Sequence, residues 1–213
     1  MGSKAVLFDL DGTFADTAAD LVRALNRLRA ARGLPDQPLA ELRQYASAGA
    51  RGLIVTGLQM LPDHPEYPAT REEFLKHYSD AICVDTRLFP GIEELLQAIE
   101  ARGLRWGIVT NKSTTLTRQL LAEMRPALRP ACVVCGDTTP YLKPNPASLL
   151  HAAKVLDLAP RDCIYLGDDL RDMLAAHAAG MRSIAVAWGY GEAIETWSAD
   201  AVIARPLDLL GLL

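Results

Sequence analysis

Short apolar runs that close on polar or charged residues, with helical stretches between them, constrain this chain more than any other feature. Lys4-Ala5-Val6-Leu7-Phe8 ends in Asp9-Leu10-Asp11, and Trp106-Gly107-Ile108-Val109 ends in Thr110-Asn111-Lys112. The run from Ala131 to Cys135 is followed, after a short loop, by Lys143-Pro144. Cys163-Ile164-Tyr165-Leu166 ends in Gly167-Asp168-Asp169, with Asp172 one helical turn further on. Ser183 to Ala187 and Val202-Ile203 read as further strands. Helical patterns over 92–101, 116–122, 146–156 and 173–179 separate these runs. Such alternation means an α/β fold, a doubly wound parallel sheet joined by right-handed crossovers.

One block interrupts the alternation. After the first strand, residues 16–84 are mostly helical, with helices expected from Thr17 to Ala31, Leu39 to Tyr45, Arg51 to Met60 and Thr70 to Ile82. Gly33 and Pro35 end the first of them. The block reads as an inserted small helical cap, which leaves residues 1–15 and 85–213 as the core. Hydrophobic residues make up 50% of the 213, enough for a packed interior. The net charge is −4 with both signs well mixed, which argues against a nucleic-acid groove or an anionic membrane surface. No apolar run is long enough for a bilayer span and no signal peptide is recognised, so the expectation is a cytoplasmic protein, monomer or homodimer.

In an open parallel sheet the carboxyl ends of the strands share one edge, where ligands bind. That edge would collect Asp9, Asp11, Thr110, Asn111, Lys143, Asp168 and Asp172 in one crevice. Clustered carboxylates raise one another's pKa, and a divalent cation relieves the repulsion. Hard oxygen ligands suit Mg2+. A lysine there offsets the charge of a phosphate, while Thr110 and the Asn111 amide offer hydrogen bonds to phosphoryl oxygens.

Those strings resemble the four motifs of the haloacid dehalogenase superfamily, in the family's order. Phe8-Asp9-Leu10-Asp11-Gly12-Thr13 resembles the first, Val109-Thr110-Asn111 the second, Lys143-Pro144 the third, and Gly167-Asp168-Asp169 with Asp172 the fourth. The resemblance implies a Rossmann-like core and a phosphatase. Asp9 is then the nucleophile that forms an aspartyl phosphate. Asp11 protonates the leaving alcohol and later deprotonates the attacking water. Magnesium is held by Asp9, the Asp11 backbone carbonyl and Asp168. Thr110 and Lys143 hold the phosphoryl group, Asn111 steadies the site, and Asp172 orients the waters of the metal. The acid two residues after the nucleophile favours ester hydrolysis over carbon–halogen cleavage. Two rival readings remain, a sugar phosphomutase of the same superfamily and a binding protein on a dead scaffold.

Plainer readings apply elsewhere. Asp16 and Asp162 suit helix caps, Asp169 is either a helix cap, the favoured reading, or part of the metal site, and Lys112 and Lys154 suit solvated surface. The four histidines show no metal spacing, and the Cys132/Cys135 pair reads as buried thiols. Trp188-Gly189-Tyr190-Gly191 is either a border of the site or a surface loop. In the cap, Ser47-Ala48-Gly49-Ala50-Arg51 offers small residues and a helix start. There Gly49, Ala50 and Arg51 either receive a substrate carboxylate or form a plain interhelical turn. On the first reading the partner is a small phosphorylated metabolite with a carboxylate. The chain looks like the phosphoglycolate phosphatase branch. It is also similar to the N-acetylmuramic acid 6-phosphate phosphatases, on the strings Gly49-Ala50-Arg51 and Gly167 to Asp172.

Overall fold

The computed structural model describes residues 2–125 and 128–213. The chain opens on strand β1 (Ala5–Phe8) and the two-residue β2 (Ala15–Asp16). Helices α1 (Ala18–Ala31), α2 (Leu39–Leu42), α3 (Gly49–Leu58) and α4 (Tyr67–Ser79) follow, and β3 (Arg87–Leu88) then pairs antiparallel with β2. From there α5 (Ile92–Ala101), β4 (Arg105–Val109), α6 (Thr114–Met124), β5 (Cys132–Val134), α7 (Ala147–Val155), β6 (Cys163–Gly167), α8 (Leu170–Ala179), β7 (Arg182–Val186) and β8 (Ala201–Ile203) complete the chain. The six-stranded sheet has the order β5-β4-β1-β6-β7-β8, and each neighbouring pair is parallel.

Period-two alternation sorts the sheet's side chains onto two faces. Val6, Phe8, Ile108, Ile164 and Leu166 join one core with α5, α6 and the helical insert. Leu7, Val109, Cys163 and Tyr165 join a second core with α7 and α8. Strands covered on both sides explain why they read as continuous apolar runs rather than alternating ones. Cys132, Cys135 and Cys163 are buried free thiols. Among the described residues no helix is long and apolar enough to cross a membrane.

The helical insert departs from the sequence reading in three places. The helix expected from Leu39 to Tyr45 ends at Leu42 and tightens into a 3₁₀ segment, Arg43–Ala48. The next begins at Gly49 rather than Arg51, with the Gly49 φ of 56° making the sharp entry. The fourth starts at Tyr67, three residues early, because Pro68 is tolerated in a first helical turn. The β2–β3 ladder at the mouth of the insert went unread, since two residues carry no alternation.

Candidate active site

Strand register builds the site. β1 lies between β4 and β6, with Phe8 paired to both Ile108 and Leu166, so Asp9, Thr110 and Asp168 leave their strands at nearly the same height. Asp9 is fixed by its own backbone, whose N–H donates to Leu166 O at 2.9 Å. The loop after β5 swings Lys143 across to it. The Lys143 Nζ donates to Asp9 Oδ1 at 2.7 Å, to Asp172 Oδ1 at 2.7 Å and to the Tyr165 hydroxyl at 2.7 Å. Asn111 sets that loop in place. Its Oδ1 accepts the Lys143 backbone N–H at 2.9 Å, and its Nδ2 donates to Lys143 O at 3.1 Å. The Asn111 amide is thus spent on the Lys143 backbone rather than offered to the crevice. Thr110 is buried and its hydroxyl accepts the Lys112 N–H at 3.1 Å.

Asp9, Asp168 and Asp172 each bring a carboxylate oxygen within 4.8 Å of the others, and all three are buried. Burial, partly offset by Lys143 and reinforced by the neighbouring Asp172 and Asp168, pushes the Asp9 carboxyl up to about 8. Burial and Asp172 push Asp168 up to about 7, against hydrogen bonds from Tyr190 N–H, Thr13 and Ser47. Buried carboxylates crowded in this way fit a small divalent cation, whose charge removes the cost of ionising them. Lys143 keeps its charge despite burial, because Asp172 and Asp9 face it directly and raise its pKa.

The backbone around Asp168 leaves no room for larger residues. A Cβ on Gly12, which sits at φ 88°, would run into the Asp168 carboxylate. A Cβ on Gly189 would strike both Asp168 Cβ and Gly12 O. The segment after β7 therefore borders the site, and Tyr190 is buried with its N–H donating to Asp168 Oδ2 at 3.0 Å. Asp169 is the N-cap of α8, as expected, and Asp172 returns a bond to the Asp169 N–H at 3.2 Å.

Three plain readings fail. Lys112 is not solvated. Its side chain is 7% exposed and its Nζ donates to both oxygens of Asp11, at 2.8 and 2.9 Å. Asp16 is not a helix cap, because Thr17 occupies the N-cap position of α1. Asp16 instead accepts from the Tyr190 hydroxyl at 2.9 Å and from Arg43 at 2.8 Å. Asp162 likewise pairs with Lys4 at 2.9 Å. Arg51 is exposed, while Gly49 and Ala50 are half-buried. In the same segment the Ser47 hydroxyl donates to Asp168 Oδ2 at 2.9 Å. Arg171 clasps Asp169 and also donates to Ser47 O at 3.0 Å. No local pattern marked Tyr165 or Lys112 as part of the site, and the strings that contain Ser47 and Arg171 singled out neither residue. Their partners sit far along the chain or on the opposite wall.

The family model described as haloacid dehalogenase-like hydrolase matches residues 6–186. A phosphoglycolate phosphatase of Xanthomonas campestris is 41% identical over 97% of this chain and 94% of its own length. An N-acetylmuramic acid 6-phosphate phosphatase of Pseudomonas aeruginosa is 38% identical over 100% of this chain and 96% of its own. The crystal structure of CbbY from Rhodobacter sphaeroides in complex with phosphate superposes with a TM-score of 0.77 at 26% identity, covering 97% and 96% of the two chains. A haloacid dehalogenase-like hydrolase from Streptococcus pneumoniae shares the fold, with a TM-score of 0.84 at 22% identity over 99% and 98%.

Proposed function

The chain belongs to the haloacid dehalogenase-like hydrolases and is a phosphoric monoester hydrolase, and from that premise we propose a magnesium-dependent reaction through an aspartyl phosphate on Asp9. The observation that carries this reading is the Asp9–Lys143 contact of 2.7 Å beside Asp168 and Asp172. In the first step an Asp9 oxygen bonds to phosphorus as the ester P–O bond breaks, and Asp11 gives a proton to the departing alkoxide. In the second, Asp11 takes a proton from water, whose oxygen attacks phosphorus and frees Asp9. Lys143 balances the negative charge shared between Asp9 and the phosphoryl group, and Thr110 donates to a phosphoryl oxygen. Asp9, Asp168 and the Asp11 carbonyl would hold magnesium, which when bound neutralises phosphoryl charge.

The substrate is a small phosphomonoester bearing a carboxylate, phosphoglycolate in the first reading. In this reading residues 16–84 act as a cap over the core, and Gly49, Ala50 and Arg51 at the start of α3 receive the carboxylate. N-acetylmuramic acid 6-phosphate is the second reading. It rests on the two strings shared with that branch, whose neighbourhoods meet where Arg171 bonds to Ser47 O. A phosphate-release screen with phosphoglycolate, N-acetylmuramic acid 6-phosphate, glucose 6-phosphate and AMP, with magnesium and with chelator, ranks these. Asp9→Asn is expected to cut release at least about 10³-fold with the fold intact. Arg51→Ala is expected to raise KM for carboxylated esters alone. Full turnover by Asp9→Asn would dismiss the covalent mechanism, and equal losses on all esters would dismiss the role of Arg51.

A further inference from the structure

Lys112 has no part in the chemistry described so far, yet it contacts both oxygens of the Asp11 carboxylate. Its Nζ reaches both oxygens, at 2.8 and 2.9 Å, and the Thr17 hydroxyl donates to Oδ1 at 2.7 Å. Asp11 is thereby held from two directions, from the end of β4 and from the entrance of the helical insert. The other side of the ammonium is covered as well. It lies 4.7 Å from the ring centroid of Tyr78, near the end of α4. That ring is buried, and the ammonium stands within cation–π distance of it. A lysine with only 7% of its side chain exposed gives up most of its hydration. Two charge-assisted bonds to one carboxylate and an aromatic face offset that loss, and the aromatic face is in place only when α4 is docked.

We propose that Lys112 is a positioning residue that fixes where the Asp11 side chain stands and, through the Tyr78 ring, ties that placement to the docking of α4 on the core. The inference rests on the reading of Asp11 as the acid that protonates the leaving group. Misplacing Asp11 then matters in proportion to how much the leaving group needs a proton. An alkoxide needs one, whereas p-nitrophenolate departs without help. A lysine that serves only to hold the fold together would show no such preference.

The test is the first-turnover rate of leaving-group release at saturating magnesium. It compares the alkyl ester ranked first in the screen above with p-nitrophenyl phosphate. Lys112→Met is expected to slow the alkyl ester at least about tenfold more than the aryl ester, a modest share of the ~10²–10⁴-fold range of general acid catalysis, with KM little changed. Tyr78→Leu is expected to show the same preference, and Tyr78→Phe, which keeps the ring, a smaller one. Should Lys112→Met fail to fold, Lys112→Gln carries the same expectation. Equal slowing of both esters, or of neither, overturns the role of Lys112, and an unselective Tyr78→Leu overturns the link to α4. Asp11→Asn separates the two levels of the inference. If it spares the alkyl ester, the general-acid reading falls and the inference with it. If it is selective and Lys112→Met is not, only the inference falls.

Discussion

Lys143 serves two carboxylates at once, with its side chain 3% exposed. Burial alone would strip its charge, and the facing Asp172 and Asp9 keep it. Removing the cation leaves both acids buried without compensation. Lys143→Met is therefore expected to cost about 3–5 kcal/mol in urea denaturation of the metal-free protein, besides ending phosphate release. A cost under about 1 kcal/mol, the range of exposed pairs, would mean that the carboxylates are better solvated than their burial implies. Asn111 is proposed to act on the site through Lys143. Its side chain pairs with both the N–H and the C=O of Lys143, so its effect on the reaction passes through the lysine's placement.

Among the elements, α1 is where the core and the insert are tied together. Its first backbone N–H groups have no partners within the helix. The Thr17 hydroxyl, which would ordinarily cap them, is turned to Asp11. Tyr190 supplies the missing acceptor from the loop after β7, taking the N–H groups of Thr17 at 2.7 Å and Ala18 at 3.0 Å. Tyr190→Phe strips these donors of their acceptor, and an expected loss of about 1–3 kcal/mol is checked by chemical denaturation. One turn on, Asp20 binds the returning chain, accepting Asp85 N–H at 3.1 Å, Thr86 N–H at 2.9 Å and the Thr86 hydroxyl at 2.7 Å. Burial would raise the Asp20 carboxyl, but the bonds from Thr86, Arg23 and the two backbone amides outweigh it and hold it below its usual range. A depressed carboxyl stabilises the fold above its unfolded pKa of about 3.9, and that stability is lost as pH falls through the lower folded value. Asp20→Asn is thus expected to cost about 1.5–3 kcal/mol at neutral pH, with the gap to wild type closing below about pH 4. A gap that stays constant down to pH 3 would contradict this.

What could be read in advance follows from range. The strands and the helices of the core were legible because apolar period and turn residues are local. Asp9, Lys143 and Asp168 were legible because strand ends of a parallel sheet share an edge. Lys112 was not, and Tyr190 and Ser47 were legible only as members of the segments Trp188 to Gly191 and Ser47 to Arg51, with no partner assigned. Lys112 meets Asp11 across 101 positions, Ser47 meets Asp168 across 121, and Tyr190 meets Asp16 across 174. The packing of the insert against the core selects the pairs of Ser47 and Tyr190, the meeting of two loops at the sheet edge selects that of Lys112, and no short-range pattern encodes either.

At the scale of the whole molecule, a chain of net charge −4 must still hold an anion beside buried carboxylates. The field of the whole surface does not assist, so the compensation has to be local, from Lys143 and, on the proposed reading, from a cation at Asp9 and Asp168. The same cation would then stabilise the fold, because the carboxylate cluster exists only when β1 and β6 are paired. Binding to the folded state alone adds RT ln(1 + [L]/Kd), about 2.7 kcal/mol at a hundredfold excess over Kd. For a protein of this size that corresponds to a rise in Tm of roughly 5–10 °C. Wild type is expected to show this rise when magnesium is added to chelator-treated protein, growing with the logarithm of concentration. Asp168→Asn should lose most of it, since the carboxylate is replaced by a weaker amide ligand at one wall of the cluster. Thr13, Ser47 and the Tyr190 N–H remain in that variant to hold the loop, so its own Tm without metal should stay near or above that of wild type. Equal magnesium shifts in the two proteins would move the metal away from Asp168, and with it the charge balance proposed for the site.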